Sequence, residues 1–148
     1  MSADLYQQRL LELANFDAGR LEAATVTLSR DNPLCGDRIT LDLCRDVAGR
    51  ITALGYEVRG CVLCRAAATL LGQQGVGHDR AALAALHAHL GNGLRRRADL
   101  PTDAPWQDLA LFEPVTAYKS RHECVLLPFE TVIEALAECS DSGAEAAN

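Results

Sequence analysis

The sequence predicts an α+β fold in a single domain, because three strands, two of them in an antiparallel hairpin, are flanked by segments with helical periodicity. The chain has 148 residues, of which 49% are hydrophobic and 23% charged. That size and composition are typical of one soluble globular domain with a core of its own. We expect this domain to span residues 1–139. A disordered tail is expected over residues 140–148, which are mostly Ser, Gly, Ala and Asp or Glu.

The first part of the chain predicts a helix followed by a strand. The helix is expected from about Asp4 to Ala18, with Gly19 ending it. Residues 25–28 are mostly β-branched and predict the strand, and residues 29–33 predict a loop. The apolar side chains that place the helix recur at helical spacing: Tyr6, Leu10, Leu13 and Ala14.

Residues 38–59 predict an antiparallel hairpin. The apolar side chains Ile39, Leu41 and Leu43 alternate with Thr40, Asp42 and Cys44, as in a half-buried strand. A turn at Ala48-Gly49 then leads into a second strand over residues 51–59. Because a hairpin returns the chain to its starting edge, residues 35 and 61 are expected to be neighbours.

The rest of the chain predicts helices. One is expected over residues 61–74, and a second should be capped by Asp79 and end at the glycines of residues 91–93. Pro105 is suited to the first turn of a short helix that runs through Leu111. The last helix is expected to start near Cys124, with Pro128 inside its first four positions, where it does no harm.

Composition and sequence signals favour the cytoplasm. The first residues have neither a basic nor an apolar region typical of a signal peptide, and no run of 18 apolar residues predicts a membrane span. In that compartment the six cysteines indicate metal binding or reactive thiols rather than disulfides. The net charge of −6 argues against nucleic acid as a partner. The one basic cluster, residues 95–97, is interpreted as a solvated loop.

The candidate site begins at Cys35-Gly36-Asp37. The glycine allows a tight turn, so that a thiolate and a carboxylate can reach one ion. Two further thiols, Cys61 and Cys124, fall at the starts of predicted helices, where the partial positive charge favours the thiolate that binds metal. Three thiolates and one carboxylate are a tetrahedral set suited to zinc, or a set that holds part of an iron–sulfur cluster.

These residues resemble a known family. The stretch Asn32-Pro33-Leu34-Cys35-Gly36-Asp37-Arg38, the Gly60-Cys61 pair opening an Ala-rich helix, and Arg121-His122-Glu123-Cys124 opening the last helix are similar to the IscU/SufU/NifU N-terminal family. Members of that family are scaffold and sulfur-acceptor proteins of iron–sulfur cluster assembly. The resemblance covers roughly residues 4–138.

The resemblance implies a three-stranded antiparallel sheet with helices packed on it and a metal site at one end. It gives the ligand positions to Cys35, Asp37, Cys61 and Cys124. It also implies that the protein accepts persulfide sulfur from a pyridoxal-phosphate cysteine desulfurase of the SufS-like type. The protein would then build a [2Fe-2S] cluster or pass sulfur to downstream assembly proteins or apo-acceptors.

Within the family the chain resembles the SufU-type branch. The 62 residues between Cys61 and Cys124 match an insertion that the IscU type lacks, and Arg121 matches an arginine of SufU-type proteins. This favours Zn²⁺ in the resting protein and leaves two descriptions open, a zinc-dependent sulfurtransferase and a non-enzymatic scaffold. Glu123 departs from the family, which has His or Lys at that position.

The resemblance also suggests how sulfur is accepted. Cys35 is expected to attack the desulfurase persulfide, with Cys124 as the rival acceptor. Asp37 is expected to be the ligand that leaves most easily, because a carboxylate is the harder donor in a thiolate-rich site. Whether His122 or Cys64 also reaches the metal stays open at this point.

Two other interpretations compete. Gly60-Cys61-Val62-Leu63-Cys64 after a strand imitates a thioredoxin-like redox motif, in which Cys61 and Cys64 would form the redox pair. However, the preceding strands are predicted to form a hairpin rather than a βαβ unit. A purely structural zinc domain is the other alternative, although such sites usually close with four Cys or His ligands.

Overall fold

The computed structural model describes residues 3–16, 18–32 and 36–147, excluding the side chains of residues 3–6 and 139–147. Four α-helices, three strands and two stretches of 3₁₀-helix follow one another along these residues. In chain order they are α1 (Ala3–Asn15), β1 (Val26–Asn32), β2 (Asp37–Arg45), β3 (Ile51–Arg59), α2 (Val62–Gln74), α3 (Arg80–Leu94), the 3₁₀-helices Gln107–Ala117 and Lys119–Arg121, and α4 (His122–Ala147).

The three strands form one antiparallel sheet in the order β1-β2-β3. This confirms the α+β fold class and the predicted hairpin. In the register of the sheet, Asn32 lies opposite Asp37, and Arg38 lies opposite Arg59. The start of β2, the end of β1 and the end of β3 therefore meet at one end of the sheet.

The helices pack on the apolar face of the sheet. Ile39, Leu41 and Leu43 are at most 1% exposed, which confirms the alternation predicted for β2. Helix α4 contacts β1, β2, α2 and α3, so it is the central helix of the core. Its apolar residues Phe129, Val132 and Leu136 are buried, and Ile133 is half-buried.

The opposite face of the sheet is crossed by residues 19–25, which connect α1 to β1. The backbone N–H of Tyr56 donates to the Gly19 carbonyl, and that of Leu21 donates to the buried carboxylate of Asp42. A Cβ at Gly55 would lie 2.7 Å from the Leu21 nitrogen, so only glycine lets this segment approach the sheet so closely. We call residues 19–25 the strap.

Some element boundaries differ from the predictions. Helix α1 ends at Asn15 rather than Ala18, and the Phe16 N–H closes its last turn onto the Leu13 carbonyl. Strand β1 continues to Asn32, although residues 29–33 were predicted as a loop, because Ser29 to Asn32 pair with β2. These four residues are polar, so the sequence pattern predicted a loop rather than a strand here.

The glycines of α3 do not end the helix as predicted. The helix runs through Gly91 and Gly93 to Leu94, and a Cβ at Gly93 would lie 2.7 Å from the Leu100 side chain. Gly93 therefore serves close packing rather than termination. The Asp79 cap is confirmed, because its side chain accepts from the Ala82 N–H.

Helix α4 starts at His122, so Pro128 is its seventh residue and lies beyond the first turn. The prediction that Pro128 falls within the first four positions is thus wrong, although the helix continues past it. The backbone of α4 is helical to Ala147, and the domain boundary at residue 139 stays a prediction. Within the described part of the chain, none of the helices has the length and apolar character needed to cross a membrane.

Candidate metal centre

The β2–β3 hairpin brings Asp37 and Cys61 together. Arg38 pairs with Arg59 in the antiparallel ladder, so the residue before Arg38, Asp37, and the residue after Arg59, Gly60, lie side by side at the end of the sheet. The Cys61 backbone N–H donates to Oδ1 of Asp37 at 2.8 Å, and the Cys61 Sγ lies 3.5 Å from Oδ2. One carboxylate therefore contacts both the backbone and the thiol of the residue that caps α2.

The third member of the site comes from α4. Cys124 is the third residue of that helix, and its Sγ lies within 4.8 Å of ligand atoms of both Asp37 and Cys61. Asp37 is 1% exposed and Cys124 is fully buried, whereas Cys61 is half-buried. The cluster is therefore open to solvent on the side of Cys61.

Gly60 fixes the position of the carboxylate. A Cβ at this residue would overlap the Asp37 side chain, including its Oδ1 and Cγ. Glycine therefore allows the Asp37 carboxylate to lie directly against the backbone that enters α2. The Gly60-Cys61 pair is visible in the sequence, but the close approach of Gly60 to Asp37 is visible only in the structure.

Asn32 is a further site residue that the sequence analysis did not single out. Its side chain is 5% exposed, and its Nδ2 lies 3.9 Å from the Sγ of Cys124, within the range of a hydrogen bond to sulfur. It pairs with Asp37 across the β1–β2 ladder. Its place three residues before the Cys35-Gly36-Asp37 motif was the signal available in the sequence.

The donor set fits a metal. In a tetrahedral zinc site, bonds of about 2.3 Å to sulfur and about 2.0 Å to oxygen place those two atoms about 3.5 Å apart. The Cys61 Sγ and the Asp37 Oδ2 are 3.5 Å apart. Two thiols and one carboxylate are also a donor combination that zinc and iron accept. Asp37, Cys61 and Cys124 would hold the ion.

The remaining candidate residues are Cys35, Arg121, His122 and Cys64. Cys35, named as a ligand and sulfur acceptor, lies outside the described residues. Arg121 is exposed at the end of the second 3₁₀-helix, three residues before Cys124. His122 lies with its Nε2 3.3 Å from the Thr116 carbonyl. Among the described residues, the group of metal-binding side chains comprises Asp37, Cys61 and Cys124, without His122 or Cys64.

The thioredoxin-like alternative is not supported by this arrangement. The strand before Cys61 belongs to an antiparallel hairpin, and Cys64 is fully buried in the core. No disulfide joins Cys61 to Cys64. Cys44 is a free thiol, and its Sγ contacts the Ala23 carbonyl of the strap.

The fold and the site define a small α+β protein with a candidate metal site of two thiols and one carboxylate at one end of an antiparallel sheet. The sequence profile of the NifU-like N terminal domain matches residues 6–125. The chain therefore belongs to this family of iron–sulfur cluster scaffold proteins, as the resemblance in the sequence predicted. A comparison with curated proteins finds no match.

Solved structures share the fold. A NifU-like protein (N-terminal) from Brucella abortus is 27% identical, with a TM-score of 0.85 over 95% of this chain and 99% of that one. A putative iron–sulfur cluster assembly scaffold protein for the SUF system from Fervidobacterium islandicum AW-1 is 22% identical, with a TM-score of 0.75 over 92% and 99%. At that identity the second comparison shows the fold alone.

Proposed function

We propose that this protein accepts persulfide sulfur from a pyridoxal-phosphate cysteine desulfurase at its metal centre and delivers it to iron–sulfur cluster assembly. The observation that carries the proposal is the contact of the Cys61 thiol with the Asp37 carboxylate, with the Cys124 thiol within 4.8 Å. Membership of the NifU-like family supports it.

The burial of the site favours exchange over a purely structural role. Asp37 and Cys124 are buried, while Cys61 is half-buried at the end of the sheet. Structural zinc sites are typically closed by four Cys or His ligands, whereas sites that react keep an open position. A centre with one exposed side and a carboxylate donor fits the second class.

Zinc is the resting metal that we propose, and it would stabilise the cysteines as thiolates at neutral pH. The structure suggests how Asp37 acts as the exchangeable ligand. Its Oδ1 already accepts a hydrogen bond from the Cys61 N–H at 2.8 Å. This hydrogen bond would be kept if Oδ2 no longer bound the metal ion. The carboxylate therefore needs no large movement to leave or return.

The sulfur step is a thiol–persulfide exchange. The Cys35 thiolate attacks the terminal sulfur of the desulfurase persulfide, a new S–S bond forms on Cys35, and the desulfurase cysteine leaves as a thiolate. No oxidant or reductant is consumed, because the sulfane sulfur keeps its oxidation state. Cys124 is the rival acceptor, and Arg121, an exposed residue three positions before it, would attract the anionic persulfide.

The same donors also suit a [2Fe-2S] cluster as cargo. The length of the α2-to-α4 connection favours the SufU-type assignment and hence zinc. It contains α3 and two 3₁₀-helices. Elemental analysis of protein purified without oxygen separates the two forms. One zinc per chain without visible colour supports the zinc form, and iron with sulfide and visible absorption supports the scaffold form.

A labelled transfer assay tests the acceptor. The protein is incubated with a cysteine desulfurase and ³⁵S-cysteine, then separated without reductant. Cys35→Ser should abolish labelling of this chain, and Cys44→Ser, a thiol on the strap side of the sheet, is the matched control. Full labelling of Cys35→Ser together with loss in Cys124→Ser would transfer the role to Cys124, and equal labelling of all variants would contradict the proposal.

A further inference from the structure

A groove with a surplus of positive charge lies beside the metal centre. It is bordered by residues 94–97, at the end of α3, and by residues 116–123, which lead into α4, and we call it the basic groove. Its volume is about 950 Å³. In a chain of net charge −6, four of its lining residues are cationic and one is acidic: Arg95, Arg96, Arg97 and Lys119, with Glu123.

The basic groove reaches the first turn of the helix that carries a metal ligand. His122 and Glu123 line the groove, and the next residue, Cys124, belongs to the metal centre. An occupant of the groove would therefore contact the two residues that precede Cys124 in α4. This places the groove beside the centre, and none of the residues at the centre lines it.

The end of α3 holds the arginines in a fixed arrangement. The Arg96 N–H donates to the Gly93 carbonyl and the Arg97 N–H to the Asn92 carbonyl, which is the Schellman pattern that closes a helix. Arg96 occupies its left-handed position with a φ of 59°, where glycine is the usual residue. Unlike a glycine at this position, Arg96 places a charged side chain in the groove.

Arg96 also links the two sides of the basic groove. Its Nε donates to Oγ1 of Thr116 at 3.0 Å, and its guanidinium lies 3.7 Å from a carboxylate oxygen of Glu113. Thr116 in turn donates to the Glu113 carbonyl. Arg95, Arg97 and Lys119 are exposed around this fixed link, so the groove is a stable surface with cationic rims.

We infer that the basic groove docks an acidic segment of a partner protein. That this partner exchanges sulfur or a cluster with the adjacent centre rests on the proposed function. A single exposed ion pair contributes little to binding, so useful affinity here requires several pairs at once. An extended segment with several carboxylates can reach both rims together, whereas a small anion cannot.

Charge distribution gives the groove a second effect. The rest of the chain is strongly acidic, so the groove is a local attractive region in a repulsive field. Such complementarity chiefly raises the association rate and fixes the orientation of the partner.

The test uses the full chain and a fluorescein-labelled peptide of about twelve residues with alternating Glu and Gly, with a Gln-for-Glu peptide as its control. Binding is followed by fluorescence anisotropy at about 20 mM and about 200 mM NaCl. The groove variant is Arg95→Ser with Arg97→Ser. The matched control, Arg50→Ser with Arg80→Ser, removes the same charge from exposed positions outside the groove.

We expect the Glu peptide to bind at low salt and the Gln peptide not to bind. The groove variant should weaken binding about ten-fold and the control variant less than about two-fold. In ¹⁵N spectra the amide shifts should concentrate in residues 94–97 and 116–123. The labelled peptide assay contains no desulfurase and no added metal, so its result is independent of whether the sulfur-transfer proposal holds.

Three results would overturn the inference. Equal weakening by both double variants would mean a general charge effect. Full displacement of the peptide by an equal concentration of inorganic phosphate would mean a small-anion site. Self-association of the peptide-free protein that the groove variant abolishes, measured by sedimentation, would make a second copy of the chain the occupant.

Discussion

The backbone N–H of Cys61 donates to Oδ1 of Asp37 at 2.8 Å, so the residue that caps α2 holds the carboxylate that begins β2. The sheet and the helix are thus joined through the metal centre itself. Gly60 lies between the end of β3 and the cap residue Cys61. A side chain at this position would overlap the Asp37 carboxylate. Folding of the hairpin therefore brings the two candidate ligands Asp37 and Cys61 together.

Replacing Asp37 by Asn should remove its metal-binding role while keeping its hydrogen bond to the Cys61 N–H. The amide oxygen of Asn can still accept the Cys61 N–H, so the fold should be retained. The neutral side chain is a poor metal ligand, and zinc affinity should fall by at least about ten-fold. Competition with a chromophoric chelator measures the affinity, and circular dichroism measures the fold. Asp31→Asn, an exposed position on β1, is the control and should retain the native affinity.

Replacing Gly60 by Ala should damage the centre through its geometry. The added methyl group overlaps the Asp37 carboxylate, so the carboxylate must move away from Cys61. We expect a loss of about 1–3 kcal/mol in unfolding free energy together with weaker zinc binding. Gly49→Ala is the control, because Gly49 has a φ of 87° and open space around it. That variant should lose stability at the β2–β3 turn while keeping its zinc affinity.

The strap should be anchored by one carboxylate. Asp42 is 1% exposed and accepts from Nε and an NH₂ group of Arg20 at 2.6 and 2.9 Å and from the Leu21 N–H at 3.0 Å. Asp42→Asn breaks the charged pair and should cost about 1–3 kcal/mol at pH 7. Urea unfolding measures this loss, and Asp31→Asn, with an exposed carboxylate, should change stability far less.

The same carboxylate predicts a pH dependence. The hydrogen bond from Arg20, opposed in part by burial, holds the pKa of Asp42 below its ordinary value of 3.8. A carboxyl whose pKa is lower in the folded state stabilises the protein above the unfolded pKa and loses this effect as the pH falls through the folded value. The difference in stability between the native chain and Asp42→Asn should therefore shrink below about pH 4. A difference that grows in acid would contradict this assignment.

The hairpin and part of the centre were predictable from local pattern. The alternation of Ile39, Leu41 and Leu43 identifies the buried face of β2, because strand side chains alternate strictly between faces. Once that strand is paired with β3, the chain must return Cys61 to Asp37. The last helix was expected to start near Cys124, and it begins two residues earlier, at His122.

Other features depend on contacts between residues that are distant in the sequence. The strap has no periodicity, and the buried carboxylate of Asp42 contacts Arg20 and Leu21, which lie more than 20 residues away in the sequence. Gly93 reads as a helix stop in the sequence, yet it is required by the approach of Leu100. The role of Asn32 exists only because α4 brings Cys124 to the end of β1.

Asn32 gives the last prediction. Its Nδ2 lies 3.9 Å from the Cys124 Sγ, and the side chain is almost fully buried between β1 and α4. A hydrogen bond to a metal-bound thiolate withdraws charge from the sulfur and orients it, and loss of such outer partners typically costs about 10–100-fold in metal affinity. Asn32→Ala should therefore weaken zinc binding and speed alkylation of Cys124 by iodoacetamide, followed by mass spectrometry. Asn92→Ala, on an exposed position of α3, is the control. Unchanged zinc affinity and alkylation in Asn32→Ala would show that the amide only fills space beside the thiol.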